Sequence, residues 1–440
     1  MMKPHLIAAA FTLAATHAWA QAPAAGNADA QMIKQGEYLS RAADCVACHT
    51  APGGKPYAGG LGFETPIGTV YSSNITPDKD TGIGRYSYED FDRALRHGVG
   101  KGTGNLYPAM PYTSYAHIRP DDVKALYAYF MHGVAPVSQR NKDADIPWPL
   151  SMRWPLGIWR ALFAPDVAAG PAPGAGEPAA AAGDAEVLRG RYLVEGLGHC
   201  SACHTPRGFA LQEKASTDAG GPEFLSGAVV EGWLAKNLRG DVNSGLGGWS
   251  REDIVAFLKS GRNAHSAAFG GMAQVVQDST QYMSDADLNA IAAYLKTLKP
   301  ADKEGAPKLA YNDATAQALR TGGDKSDGAI TFLNNCAACH RSSGKGYAET
   351  FPQLAQSSTV LSQDPASLIH LVLKGAQMPG TRSAPTAYAM PGFDYRLTDG
   401  EVAAVVTFVR NSWGNQAPAV SADQVAKVRK EVGAEPAPVR

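Results

Sequence analysis

The sequence carries almost no charge excess, with 40 lysines and arginines against 41 aspartates and glutamates in 440 residues. A basic stripe for nucleic acid is therefore not expected, nor is nucleic acid as a partner. Long hydrophobic runs are also scarce. Beyond the first twenty residues no stretch approaches the ~18 uncharged apolar residues that cross a bilayer. No G-x-G-x-x-G follows a strand-like run, so any flavin or dinucleotide belongs on another chain. Cysteine is the third scarcity: there are six, and all fall in three copies of one pentapeptide.

Lys3, the apolar stretch Leu6 to Ala15 and Ala18-Trp19-Ala20 read as a signal peptide over residues 1–20, cut before Gln21. No cysteine follows that cut to carry a lipid. The expected product is an exported chain of two or three ordinary domains.

The pentapeptides are Cys45-Val46-Ala47-Cys48-His49, Cys200-Ser201-Ala202-Cys203-His204 and Cys336-Ala337-Ala338-Cys339-His340. C-x-x-C-H attaches a c-type haem. Two thiols one helical turn apart can each form a thioether, and the histidine beside the second then faces the iron. A disulfide framework would not place histidine after every second cysteine. Zinc would need further ligands at paired spacing, and no cysteine remains to supply them. Chance gives about 0.002 such pentapeptides in a chain of this composition, so three are not accidental. The expectation is three haem c groups, held by Cys45, Cys48, Cys200, Cys203, Cys336 and Cys339, with His49, His204 and His340 as proximal iron ligands.

A helical pattern repeats around each cluster. Ahead of the cysteines lie Gly36-Glu37-Tyr38-Leu39 and Gly190-Arg191-Tyr192-Leu193, with a looser third copy at Gly328 and Phe332-Leu333. A middle helix follows, marked by Phe91, Ala94 and Leu95, then Ile254, Phe257 and Leu258, then Leu368, Leu371 and Val372. Each set is followed by a glycine: Gly98, Gly261 and Gly375. Ser87 to Asp90 and Ser250 to Asp253 have capping-box spacing. The last helix repeats most cleanly: Val123, Leu126, Tyr127 and Phe130 match Leu288, Ile291, Ala292 and Leu295, then Val402, Val405, Val406 and Val409.

Each copy also offers a methionine before its last helix as distal iron ligand. Met110 lies 12 residues before Asp122 and Met390 lies 11 before Glu401; Met378 is the alternative in the third copy. In the second, Met272 lies 15 residues before Asp287 and Met283 only four. The spacing favours Met272, with Met283 left open. His/Met ligation fills both axial positions and raises the potential, which suits an electron carrier better than a peroxidase. His97, His117, His132, His199, His265 and His370 have no matching positions across the copies, so none is expected to ligate iron.

Residues 165–185 and 300–327 read as linkers, and the tail after Asn415 as polar and frayed. Between Ile146 and Phe163 lie Trp148, Trp154 and Trp159 with Arg153 and Arg160. This segment is either a strap over the domains or a surface for a partner or the membrane interface. Asn74-Ile75 with Gly82-Ile83-Gly84 recurs as Asn237-Leu238 with Gly245-Leu246-Gly247, as a tight turn or as an anchor for a haem propionate.

Ser73-Asn74-Ile75-Thr76-Pro77-Asp78, Leu106-Tyr107-Pro108-Ala109-Met110-Pro111-Tyr112, Arg191 through Cys200, Phe269-Gly270-Gly271-Met272 and Trp148-Pro149-Leu150 with Arg153-Trp154 together carry a resemblance. The chain resembles the triple-haem cytochrome c subunits of bacterial membrane-bound dehydrogenases, most of all that of gluconate 2-dehydrogenase. The resemblance implies a mainly α fold of three tandem cytochrome c-like domains over 31–135, 185–299 and 328–415. Residues 136–184 and 300–327 would join them, and 416–440 would be a tail. It also implies a flavoprotein dehydrogenase partner, a small third subunit, and ubiquinone as acceptor on the periplasmic side of the cytoplasmic membrane, with peripheral attachment. The same role for an alcohol, sorbitol, fructose or glucose dehydrogenase is the alternative. A self-contained multihaem enzyme is the other.

Overall fold

The computed structural model describes residues 25–167, 182–302 and 307–433. The first copy is built on α1 (Ala25–Ala42), α2 (Tyr88–His97) and α3 (Pro120–His132), followed by α4 (Pro155–Phe163). The second has α5 (Ala182–Arg191), which runs on as a π-helical turn over Tyr192–Leu197, then α6 (Arg251–Ser260), α7 (Gly271–Asp278) and α8 (Asp285–Thr297). The third has α9 (Ala314–Thr321), α10 (Asp327–Asn335), α11 (Ala366–Lys374), α12 (Asp399–Arg410) and α13 (Ala422–Gly433). Besides several single helical turns, the described residues hold four antiparallel hairpins: β1 (Gly62–Thr65) with β2 (Gly68–Tyr71), β3 (Val99–Gly100) with β4 (Gly104–Asn105), β5 (Ala228–Val230) with β6 (Trp233–Ala235), and β7 (Ala376–Gln377) with β8 (Ala389–Met390).

Local sequence sets the helix starts. Ser87 with Asp90 and Ser250 with Asp253 form both hydrogen bonds of a capping box, and Thr398 with Glu401 forms a third at α12. The residue just before each last-helix cap is buried and apolar: Ile118, Met283 and Leu397. Each joins the same core as the residue five positions on (Val123, Leu288 or Val402), the pattern of a hydrophobic staple.

The first and last helices of each copy cross at a glycine. A Cβ on Gly36 would lie 1.9 Å from the Ala125 carbonyl oxygen, one on Gly190 1.9 Å from that of Ala290, and one on Gly328 2.5 Å from that of Ala404. Only a residue without a side chain lets the backbones approach this closely. From crossing glycine to first cysteine the copies span nine, ten and eight residues. The π-helical turn of the second copy takes up its extra residue before the haem motif.

Copies one and two share a single hydrophobic core, whereas the third has its own. The first two exchange equivalent contacts: Tyr38 Oη donates to Asp287 Oδ2, and its counterpart Tyr192 Oη donates to Asp122 Oδ2, each at 2.5 Å. Asp287 also receives a two-pronged contact from Arg189, while Asp122 receives Gln35 and Arg119. This is the reciprocal contact pattern of a two-fold dimer, built within one chain. The third copy docks on the second through Trp233, stacked on His370 of α11 at 3.9 Å, and through the Leu234 amide donating to Ser367 Oγ.

Two expectations need correction. The 300–327 stretch is not all linker, because α9 buries Ala316 and Leu319 in the third core. The tail does not fray at Asn415: α13 packs Val425, Val428 and Val432 into the same core. Those valines recur at i, i+3 and i+7, a helical stripe readable in the sequence. Residues 168–181, most of the other linker, lie outside the described residues.

Candidate haem-binding sites

Each C-x-x-C-H lies in or around a single helical turn, Cys45–Cys48, Ser201–His204 and Ala337–His340. None of the six cysteines is disulfide-bonded. All three histidines face a main-chain carbonyl from Nδ1: His49 to Ser73 at 2.7 Å, His204 to Lys236 at 2.6 Å and His340 to Pro352 at 2.9 Å. A carbonyl can only accept, so Nδ1 carries the proton and Nε2 keeps its lone pair for a metal. Burial lowers the pKa of all three imidazoles, which favours the neutral, ligating form.

A glycine amide closes each turn. Gly59 N donates to His49 O, Gly227 N to His204 O and Gly346 N to His340 O, at 2.8, 2.8 and 3.1 Å. All three have positive φ, and a Cβ on Gly59 or Gly346 would strike the segment that supplies the carbonyl. Sequence reading missed this trio because the glycines follow their histidines by 10, 23 and 6 residues. No constant spacing marks them.

Burial disfavours the thiolate form of the cysteines. Burial pushes Cys48, Cys200 and Cys336 up to about 12 and raises Cys45 and Cys203 as well. Among the described residues no group of three His, Cys, Asp or Glu side chains is arranged for a metal ion. The paired thiols therefore lack the further ligands of a structural zinc site among the described residues. Beside the first motif, burial followed by the charge of Asp278 pushes the Asp44 carboxyl up to about 8, opposed by Arg41.

The third copy holds an apolar cavity whose lining includes Cys336, Cys339 and His340 together with Met378 and Met390. Both methionines reach it because Met378 lies opposite Tyr388 and Met390 opposite Ala376 on one hairpin face. Met390 also packs against the third core, and Met378 borders a neighbouring groove. In the first copy Met110 packs half-buried against the core in the loop after β4. In the second, Met272 is half-buried at the start of α7, whereas Met283 fills the staple position held elsewhere by Ile118 and Leu397.

The remaining motif residues serve structure. Asn74 is 1% exposed, and its amide clamps the carbonyls of Val137 and Gln139 while Oδ1 accepts the Thr76 amide. Asn237 Oδ1 accepts the Arg239 amide in the same kind of turn. The turn reading fits both residues, and the Asn74 side chain is committed to protein rather than to a propionate. Of the unmatched histidines, His265 contacts Asp253 and His199 packs edge-on against Tyr115.

The tryptophan segment is both strap and surface. Trp159 Nε1 donates to the Ala210 carbonyl and its ring meets Tyr112 edge-on, while Arg160 donates to the His97 carbonyl and Arg153 lies over Tyr107. These contacts tie α4 across copies one and two. The outer side of α4 is bare, with Trp154 at its cap 65% exposed, Ile158 56% and Leu162 69%, and Trp148 ahead of it is 79% exposed.

A histidine Nε2 left without a protein partner beside two thiols, met in the third copy by an apolar cavity bordered by two methionine thioethers, fits a covalently held haem. The cytochrome c family model matches residues 33–133, 187–299 and 326–413. The chain is 56% identical over 409 residues to the gluconate 2-dehydrogenase cytochrome c subunit of Pantoea cypripedii, covering 92% of this chain and 91% of that protein. It is 52% identical over 432 residues to the cytochrome c subunit of a quinone alcohol dehydrogenase from Gluconacetobacter polyoxogenes, covering 97% and 90%. It is 37% identical over 441 residues to the fructose dehydrogenase cytochrome subunit of Gluconobacter japonicus, covering 95% and 87%. The chain belongs to the cytochrome c family and carries three of its domains in tandem.

Proposed function

We propose that the chain is the electron-transfer subunit of a membrane dehydrogenase, holding one haem c in each domain. The observation that carries this reading is the thrice-repeated histidine Nδ1-to-carbonyl bond behind a C-x-x-C-H turn. Bound haem iron would accept and release one electron at a time. Cys45 and Cys48, Cys200 and Cys203, and Cys336 and Cys339 form the thioethers, and His49, His204 and His340 are the proximal ligands. Met110, Met272 and Met390 are the distal ligands. The staple role of Met283 supports Met272, and the spacing of Met390, 11 residues before Glu401 as Met110 is 12 before Asp122, supports it over Met378.

The donor in this proposal is a flavoprotein subunit that oxidises gluconate, accompanied by a small third subunit, and the acceptor is ubiquinone at the periplasmic face of the membrane. Similarity to the gluconate dehydrogenase cytochrome subunit supports that donor. Visible spectra of the natively purified complex test it. Anaerobic gluconate is expected to reduce the haems, and a ubiquinone analogue to reoxidise them. Reduction by ethanol, fructose or glucose instead would keep the carrier role and change the partner. Absence of reduction by any of these would sink the donor assignment.

No helix among the described residues is long and apolar enough to cross a membrane. Attachment in this reading runs through the bare face of α4, where Trp154, Ile158 and Leu162 recur every fourth residue. Replacing these three by serine is expected to release most of the complex from membranes in a flotation assay, with haem content unchanged. Full retention by the triple variant would rule this face out as the anchor.

A further inference from the structure

Arg262 leaves the C-terminal end of α6 in the second domain and is 8% exposed. Its Nη1 is shielded from solvent and has no hydrogen-bond partner, and its side chain forms no ion pair among the described residues. A shielded guanidinium N–H with no acceptor is unfavourable, because the hydrogen bond it made to water is not replaced. Its surroundings point across the domain boundary. The guanidinium carbon lies 5.2 Å over the ring of Tyr388, and Tyr388 lines the cavity of the third domain. Arg262 also bridges to Ala267, within the Ser266–Phe269 stretch that forms the second domain's share of that cavity wall. A second cation stands at the same wall: Lys236 Nζ donates to Ser266 Oγ at 2.8 Å.

We propose that Arg262 of the second domain binds a carboxylate of the prosthetic group seated in the third domain, a haem propionate. This rests on the haem reading of that cavity. The planar guanidinium offers parallel N–H donors that match a carboxylate, and the ion pair gives the shielded Nη1 the acceptor it lacks. The contact does two things. It fixes the third haem against the second domain, so the docking of the two domains includes the cofactor. It also places a positive charge beside the third haem, which favours the added electron and raises that haem's potential.

The test is a potentiometric titration of the full-length, haem-loaded complex, with Met390→Ala and Met272→Ala used to mark the potentials of the third and second haems. Arg262→Gln is expected to keep three haems per chain and to lower the potential marked by Met390→Ala. The expected shift is at least tenfold in the redox equilibrium constant, about 59 mV for one electron. Arg262→Lys keeps the charge without the fork and should give a smaller shift. Resonance Raman bands of haem propionate bending should move in one haem only. Unchanged potentials and propionate bands in both variants would overturn the proposal. So would a shift in the potential marked by Met272→Ala, which would assign Arg262 to the second haem. Absence of haem at Cys336 and Cys339 in the unaltered protein would instead overturn the haem reading itself. Should Arg262→Gln fail to fold, Arg262→Lys still decides through the propionate bands.

Discussion

Gly190→Leu is expected to prevent the second domain from assembling and, through the shared core, to disrupt the first. A Cβ at Gly190 would sit 1.9 Å from the Ala290 carbonyl oxygen and 2.8 Å from Tyr294 Cβ. Those neighbours are helix backbone and the root of a side chain, so neither can swing aside. Even Gly190→Ala must separate α5 from α8 along their crossing. That separation pulls Arg189 from Asp287, and Tyr294 from Glu195 in the π-helical turn after α5. Overpacking typically costs about 1–3 kcal/mol where the core can adjust, and the alanine variant should lie at or above the upper end. Leucine should exceed the whole stability of the domain, which is on the order of 5–15 kcal/mol. Gly400 in α12 is the control, since a Cβ there meets nothing within 4 Å. Gly400→Ala should be neutral or stabilise by up to about 1 kcal/mol. Thermal unfolding of the loaded protein reads all three. Equal midpoints for Gly190→Ala and the parent would mean that the helices do not cross this closely.

The second large effect separates two methionines eleven residues apart in sequence. Met272→Ala is expected to lower one haem potential by about two decades in its equilibrium constant, roughly 120 mV at 59 mV per decade, with unfolding little changed. Met283→Ala should do the reverse. Met283 is 8% exposed in the core shared by domains one and two, so truncation should cost about 2–5 kcal/mol and leave the potentials alone. Redox titration and thermal unfolding of both variants decide the matter. A potential drop in Met283→Ala with none in Met272→Ala would exchange their roles.

The staple explains why this pair was hard to separate by spacing. Ile118, Met283 and Leu397 each stand five residues before the matched Val123, Leu288 and Val402, but that all three are buried in a core shows only in the fold. The histidine-to-carbonyl bonds were hidden for a related reason. Ser73, Lys236 and Pro352 share no side-chain chemistry, because the group that matters is the main-chain oxygen. The same holds for Gly59, Gly227 and Gly346, which reach one structural position across loops of unequal length. By contrast, the linker reading of 300–327 overlooked the short stripe of α9, whose Ala316 and Leu319 carry little hydrophobic weight alone.

The chain's own sequence determined what depends on local spacing. Three C-x-x-C-H motifs set the cofactor chemistry, the i, i+3, i+4, i+7 stripes set the last helices, and the capping boxes set where helices begin. Tertiary structure decided everything that needs two distant segments to meet. The crossing glycines, the reciprocal Tyr38–Asp287 and Tyr192–Asp122 contacts, the inward and outward faces of α4, and Arg262 over Tyr388 all join residues from different parts of the chain. The physical reason is range. Helix periodicity and thioether reach act over one or two turns of backbone, whereas desolvation and close packing are felt only once separate helices touch.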